Sequence, residues 1–227
     1  MLNYEVAPEL LSQYIPQGTE LDDWNGKFFI SLVGFRFLKT RVFGIAFPFH
    51  SNFEEVNFRF YVRRNEAGEH RRGVVFIREI VPRRAISLVA NTCYDENYIT
   101  LPMSHRIQSQ SDGRITVEYG WRFRGQNNRI SCTVQGEPTI PESNSQGHFI
   151  TEHYWGYASD RKQGSTEYRV AHPQWRVWRA NGAKFEGDAE GLYDPRLASI
   201  LRGTPTSAFL AEGSEVTVYR GWRIGSQ

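Results

Sequence analysis

Lysine is scarce in this chain of 227 residues: only Lys27, Lys39, Lys162 and Lys184 stand among 27 basic side chains. None has a lysine neighbour, and only Lys162 sits directly beside a cation, Arg161. Lysine is the usual Schiff-base residue, whereas arginine grips carboxylates with two parallel N–H groups, so the bias favours anion recognition over imine chemistry. Cysteine is scarcer still. Cys93 and Cys132 form no C-x-x-C pair and no metal-ligand spacing, which reads as two structural thiols in a reducing, cytoplasmic setting with no metal and no cofactor. The longest apolar run, Val42 to Phe49, contains Pro48 and is far too short to span a bilayer, so no membrane association is expected. Met1 to Gln13 carries acids and lacks the basic start and apolar middle of a signal peptide. The net charge is only +2 and the basic residues form no tail, so nucleic acid is not an expected partner.

What is present is apolar and aromatic: 40% hydrophobic and 14% aromatic residues, enough for a sizeable core and against disorder. The most informative stretch is Phe53 to Val62. From Glu55 it alternates without a fault, with Glu55, Asn57, Arg59 and Tyr61 on one side and Val56, Phe58, Phe60 and Val62 on the other. Side chains on a strand repeat every two residues, so this is one β-strand with two unlike faces. A half-buried strand with a wet polar face is the ordinary explanation. A carboxylate, an amide, a guanidinium and a phenol in a row can also orient a small carboxylate or carbonyl compound.

Strands are also predicted over Lys27–Phe37, Gly73–Ile80, a stretch after Met103, Ile115–Phe123, Ile130–Gln135, Phe149–Tyr157, Tyr168–Val170 paired with Gln174–Trp178, and two closing strands that turn at Glu212-Gly213. Met1 to Gly18 reads as a lead-in with a helical turn after Pro8, and Arg41 begins a companion strand that runs through Gly44 and Pro48 into a loop. One good helix follows Pro82, with Ile86, Val89, Ala90 and Cys93 on a helical stripe, and a short one opens at Asp194-Pro195. Turn signals every 8–12 residues are the rhythm of an antiparallel sandwich or barrel. No linker divides the chain, so residues 1–227 are taken as a single domain of mainly β, minor α+β class.

The order of motifs resembles a known family. It runs Pro16-x-Gly18, Asn25-Gly26, Ser31-Leu32-Val33-Gly34-Phe35, then Glu55-Val56-Asn57-x-Arg59-x-Tyr61-Val62, Gly73-Val74-x-Phe76 and Leu101-Pro102. Thr151-Glu152-x-Tyr154-x-x-Tyr157 and His172-Pro173-x-Trp175 follow late in the chain. This is similar to the YqjF-like bacterial domain of unknown function in the acetoacetate decarboxylase-like superfamily. The resemblance implies a cone-shaped, mostly antiparallel β-barrel with one main helix and a polar central cavity. In that superfamily's best-known enzyme an interior lysine forms a Schiff base with a β-keto acid. The matching stretch here is Pro102-Met103-Ser104-His105, which has no lysine.

The candidate residues follow. Glu55 would act as acid or base, and the resemblance implies it at an acidic site position. His105 is the one group near the missing lysine able to exchange protons close to neutral pH. Arg59 would clamp an anion, with Glu55 on the same strand as its alternative partner. Asn57 and Tyr61 would orient the ligand, Arg36 would add a second cation, and Glu152 a second carboxylate. Two functions stay open. One is a site for a small carboxylate or carbonyl compound, with turnover of the lyase, hydratase or aldol kind left undecided. The other is a non-catalytic ligand-binding or structural protein whose Glu/Asn/Arg/Tyr network only stabilises the fold. The oligomeric state is not readable.

Overall fold

In the computed structural model, residues 1–38, 41–42, 45–46, 52–93, 96–159 and 164–224 are described, with backbone alone at 41–42, 45–46, 89–90 and 92–93. The predicted course through Gly44 and Pro48, Lys39, Lys162 with its neighbour Arg161, and most of the helical stripe therefore lie outside the described side chains.

The strands, in chain order, are β1 (Leu2–Val6), β2 (Glu20–Leu21), β3 (Phe28–Phe37), β4 (Arg41–Val42), β5 (Ile45–Ala46), β6 (Phe53–Glu66) and β7 (Glu69–Val81). After helix α1 (Arg84–Cys93) come β8 (Tyr98–Thr100), β9 (Met103–Ser109), β10 (Ile115–Phe123) and β11 (Gln126–Val134). Helix α2 (Gln146–Thr151) precedes β12 (Trp155–Ser159), β13 (Ser165–Ala171), β14 (Val177–Arg179) and β15 (Asn181–Glu186). Helix α3 (Pro195–Leu201) precedes β16 (Ser207–Ala211), β17 (Thr217–Val218) and β18 (Trp222–Ile224).

The backbone of the fold is the β6–β7 hairpin. Its two-residue turn, Ala67-Gly68, has positive φ at both positions (48° and 84°), the backbone that keeps two strands twisted together. Around it lies a large sheet in the order β14-β16-β1-β3-β6-β7-β12-β13-β17. A four-stranded sheet, β15-β11-β10-β9, packs against one face of it. Gly34 allows that approach, since a Cβ there would lie 2.7 Å from both Ile130 and Tyr119. The main core fills this interface, with Leu32, Phe58, Phe60 and Ile80 meeting Tyr119, Trp121 and Ile130, and with α3 adding Leu197 and Leu201. The other face of the large sheet carries Tyr61, Phe29 and Val74 under α2, which contributes Phe149 and Ile150.

The expected antiparallel barrel is corrected to an open, mixed sheet. β7 pairs in parallel with β8 at one end and β12 at the other, and among the described residues the outer strands β14 and β17 are not paired with each other. Hairpin turn signals report antiparallel neighbours only. α1 and the long stretch before β12 return the chain to β7 in its own direction, which parallel pairing requires. The predicted strand over Phe149–Tyr157 is helix up to Thr151, because Ser145 caps α2 by accepting from the His148 N–H at 3.2 Å. The predicted pair after Tyr168 also re-partners: β13 joins β12, and β14 joins β16. β16 and β17 do not turn on each other, and the predicted lead-in contains β1, which lies between β3 and β16. The short C-terminal helix stands as expected, with Asp194 accepting from the Arg196 N–H at 2.9 Å. Among the described residues no helix is long and apolar enough to cross a membrane.

Candidate functional site

The alternation in β6 puts Glu55, Asn57, Arg59 and Tyr61 on the sheet face beneath α2, away from the main core. A β-bulge in β7 extends that face. Phe58 opposes Arg78 and Arg59 opposes Phe76, so Ile77 is the extra residue. The slip sets Glu79 beside Asn57, while Arg72 lies two residues from Val74 on the same side. β8 adds Tyr98 beside Glu79. The row Asn57–Glu79–Tyr98 thus crosses three strands.

One end of the face is acidic. Glu55 is 2% exposed and Glu79 1%. Glu55 accepts from the Tyr98 hydroxyl at 3.1 Å and from the Asn57 amide at 3.2 Å. Burial pushes the Glu55 carboxyl up to about 7, against the pull of Asn57, Tyr98 and Arg59. Burial also pushes Glu79 well above the carboxylate range, and repulsion from Glu96 and Glu55 adds to it. Tyr168 crosses Gly156, where a Cβ would sit 2.1 Å from its ring, and donates to Glu96 at 2.7 Å. Among the described residues no salt bridge reaches Glu55 or Glu79, and Glu79 Oε2 and Asn57 Oδ1 are buried without a hydrogen-bond partner. Burial thus favours the protonated form of both Glu55 and Glu79, and a carboxyl shifted in that direction is suited to giving or taking a proton.

The other end is basic. Arg59 is half-buried, and among the described residues no carboxylate lies within ion-pair distance of it. Its Nη2 donates to the Ile150 carbonyl at 3.3 Å, while Nε is buried without a partner. The alternative in which Glu55 pairs directly with Arg59 is therefore absent. Tyr61 is anchored instead of free: Ser31 Oγ donates to Asn3 at 2.7 Å, so Tyr61 donates to Ser31 at 2.6 Å.

Three other candidates lie apart. Arg36 is exposed at the end of β3. His105, on β9, is 2.6 Å from Glu54, which faces the opposite side of β6 from Glu55. Glu152 is buried just after α2, bonded to Thr151 at 3.3 Å and to the Tyr154 hydroxyl. Lys27 and Lys184 are exposed partners of Glu5 and Glu186. Among the described residues no grouping of three or more His, Cys, Asp or Glu is placed to hold a metal ion.

Sequence reasoning missed Glu79, Tyr98 and Glu96. Glu79 did leave a signal, a lone acid beside Arg78 in the otherwise apolar stretch Val74 to Val81.

The fold is similar to that of acetoacetate decarboxylase from Legionella pneumophila subsp. pneumophila str. Philadelphia 1, with TM-score 0.66, 12% identity, and 99% of this chain and 83% of that chain covered. An acetoacetate decarboxylase-like enzyme from Sphingomonas wittichii RW1 gives TM-score 0.58 at 15% identity, covering 99% and 87%. The enduracididine biosynthesis enzyme MppR complexed with pyruvate gives 0.60 at 11% identity, covering 98% and 83%. At these identities the likeness is one of fold, and it shows an acetoacetate decarboxylase-like architecture, without, among the described residues, the closed antiparallel barrel expected from the motifs. No curated protein matches the sequence. A family model matches residues 1–215, and the chain belongs to that family, DUF2071, uncharacterized conserved protein (COG2071).

Proposed function

We propose that residues 1–227 form one acetoacetate decarboxylase-like domain that binds a small carboxylate carrying a carbonyl group, of pyruvate's size, on the face beneath α2. The observation that carries this reading is Arg59: a half-buried guanidinium with a buried, unpartnered Nε and no carboxylate beside it among the described residues. An uncompensated buried charge is costly, and an anionic ligand would supply its missing partner. The Cα atoms of Glu55 and Arg59 are about 13 Å apart on an extended strand. An arginine side chain, a glutamate side chain and a small 2-oxo acid between them fill that span.

In this reading Arg59 holds the carboxylate, Asn57 orients the proton-transfer group by donating its amide to Glu55, and Tyr61 walls the site. Glu55, with Tyr98 on its other oxygen, gives or takes a proton at the carbonyl end. The chemistry fitting those groups is lyase, hydratase or aldol reaction without an imine. The pyruvate complex of the similarly folded MppR supports the ligand class. A second reading, binding without turnover, draws support from Tyr61, whose hydroxyl is already spent on the Ser31–Asn3 chain.

The test is thermal unfolding with pyruvate and other small carboxylates, for wild type and Arg59→Met. A ligand at a hundred times its dissociation constant stabilises by ~2.7 kcal/mol. That shifts the midpoint by about 5–10 °C in a domain of this size. The shift should vanish in Arg59→Met, each protein measured against its own ligand-free midpoint. No shift with any small carboxylate would remove the proposal.

A further inference from the structure

Past Arg59 the same face holds a second set of unsatisfied groups that the sequence did not single out. His153, directly after α2 and Glu152, is 7% exposed, and neither ring nitrogen has a hydrogen-bond partner. A neutral imidazole has one donor and one acceptor, and leaving both unpaired in the interior is unusual. Its ring lies 4.7 Å from that of Tyr61 and 5.6 Å, edge-on, from that of Phe149. The guanidinium of Arg59 is 5.7 Å from the Tyr61 ring, and that of Arg72 is 4.7 Å from the Phe149 ring. Arg72 Nη2, like Arg59 Nε, is buried without a partner. Two cationic N–H groups and an imidazole thus converge, all unsatisfied, around one pair of aromatic rings.

The charged groups facing His153 are few. Asp22, after β2, has Oδ2 3.9 Å from Nε2, too long for a hydrogen bond. That carboxylate is already taken by Arg72 at 2.6 Å, with Arg63 3.7 Å from its other oxygen. From β7 and β6 come Arg72 and Arg59, and α2 contributes only the Phe149 ring. Burial, opposed by Asp22 and helped by Arg72 and Arg59, pushes the imidazole down to about 4, so the ligand-free ring is neutral. A bound anion would reverse this balance, because it supplies the negative charge that the imidazolium lacks.

We infer that His153 is the third arm of the anion clamp: a carboxylate held by Arg59 Nε and Arg72 Nη2 also receives a ring N–H of His153, and its binding draws one proton from solvent onto the imidazole. This rests on the carboxylate-site reading above and adds proton-linked specificity to it. The site would prefer an ionised 2-oxo acid over its neutral amide, and the preference would widen as pH falls from 6 toward 4. Each pH unit in that window would tighten binding by up to about tenfold. Glu55 titrates higher, near 7, and the Glu55→Gln background removes its contribution.

The experiment is NMR of the histidine rings in the full chain between pH 4 and 8, with and without pyruvate and with pyruvamide as the neutral control. The His153 signal is assigned by its contacts to the Tyr61 and Phe149 rings, so the measurement does not depend on a variant that folds. The expected result is a His153 ring that is neutral at pH 6 alone and protonated with pyruvate, but not with pyruvamide. His153→Gln, where folded, should keep weakened binding and lose its pH dependence below 6. If pyruvate binds through Arg59 while the His153 ring stays neutral and His153→Gln binds as wild type does, this inference is overturned and the carboxylate site stands. If wild type binds neither pyruvate nor any other small carboxylate at tens of millimolar, both fall.

Discussion

Two kinds of buried glutamate occupy this sheet. Glu167, on β13, is fully buried and accepts from Arg64 at 3.2 Å, Arg71 at 3.0 Å and the Tyr157 hydroxyl at 2.8 Å. Glu55 and Glu79 are as deeply buried but have tyrosine, amide and carboxyl neighbours and, among the described residues, no salt bridge. Residue type and burial are the same. The difference is the counter-charge: Glu167 has two guanidinium partners, whereas burial without one pushes the Glu55 and Glu79 carboxyls upward. Arg64 and Arg71 come from the flanks of the β6–β7 turn, where both strands run out toward solvent. Glu55 and Glu79 lie deeper along the same hairpin, where among the described residues no cation comes within ion-pair distance of them.

That contrast can be broken experimentally. The largest effect is expected for Glu167→Ala, which removes the buried acceptor shared by Arg64, Arg71 and Tyr157 and leaves the two arginines only their more exposed partners Glu66 and Glu69. Unfolding in urea should show a loss of ~3–5 kcal/mol. A loss below ~1 kcal/mol, the scale of an exposed pair, would erase the distinction. Next comes the pH dependence of Glu55. Its folded-state value of about 7 lies above the ordinary 4.5, so between those values the folded chain binds more protons than the unfolded one. Stability should therefore fall as pH rises from about 4.5 through 7, by ~3 kcal/mol from this group, with Glu79 acting in the same direction. Glu55→Gln should flatten that slope in urea titrations at pH 5 and pH 8; an unchanged slope would mean that Glu55 is ionised throughout. The smallest effect is at the surface. Lys27→Met breaks the exposed 2.8 Å pair with Glu5 and should change stability by less than ~1 kcal/mol.

The sequence showed the half of the site whose geometry is local. Glu55, Asn57, Arg59 and Tyr61 share a face because one unbroken strand has a period of two, and no tertiary information is needed to see it. Glu79 joins them only through the bulge at Ile77, which breaks the alternation on β7 and hid its face. His153, Arg72 and Asp22 come from a helix end, a strand and a loop spaced far apart along the chain. Tertiary packing alone makes them neighbours. His105 illustrates the converse: proximity in the motif to the missing lysine did not survive folding, because β9 belongs to the four-stranded sheet and meets the other side of β6. The open, mixed sheet was hidden for the same reason, since parallel partners are joined by long connections that carry no turn signal.

The placement of β1 sets the order of assembly. Leu2 pairs with Leu32 on one side and with Ala208 on the other, and the Asn3 amide donates to Ser207 across 204 residues. During synthesis β1 thus waits for every residue up to β16 before its second edge is covered. Contacts of such long sequence separation slow folding. Until β16 arrives, β1 offers an open row of backbone N–H and C=O groups to any neighbouring nascent chain. Yield on expression should accordingly depend on chaperone supply and growth temperature, and a break anywhere before Ser207 should expose that seam even where the β6–β7 hairpin has already formed.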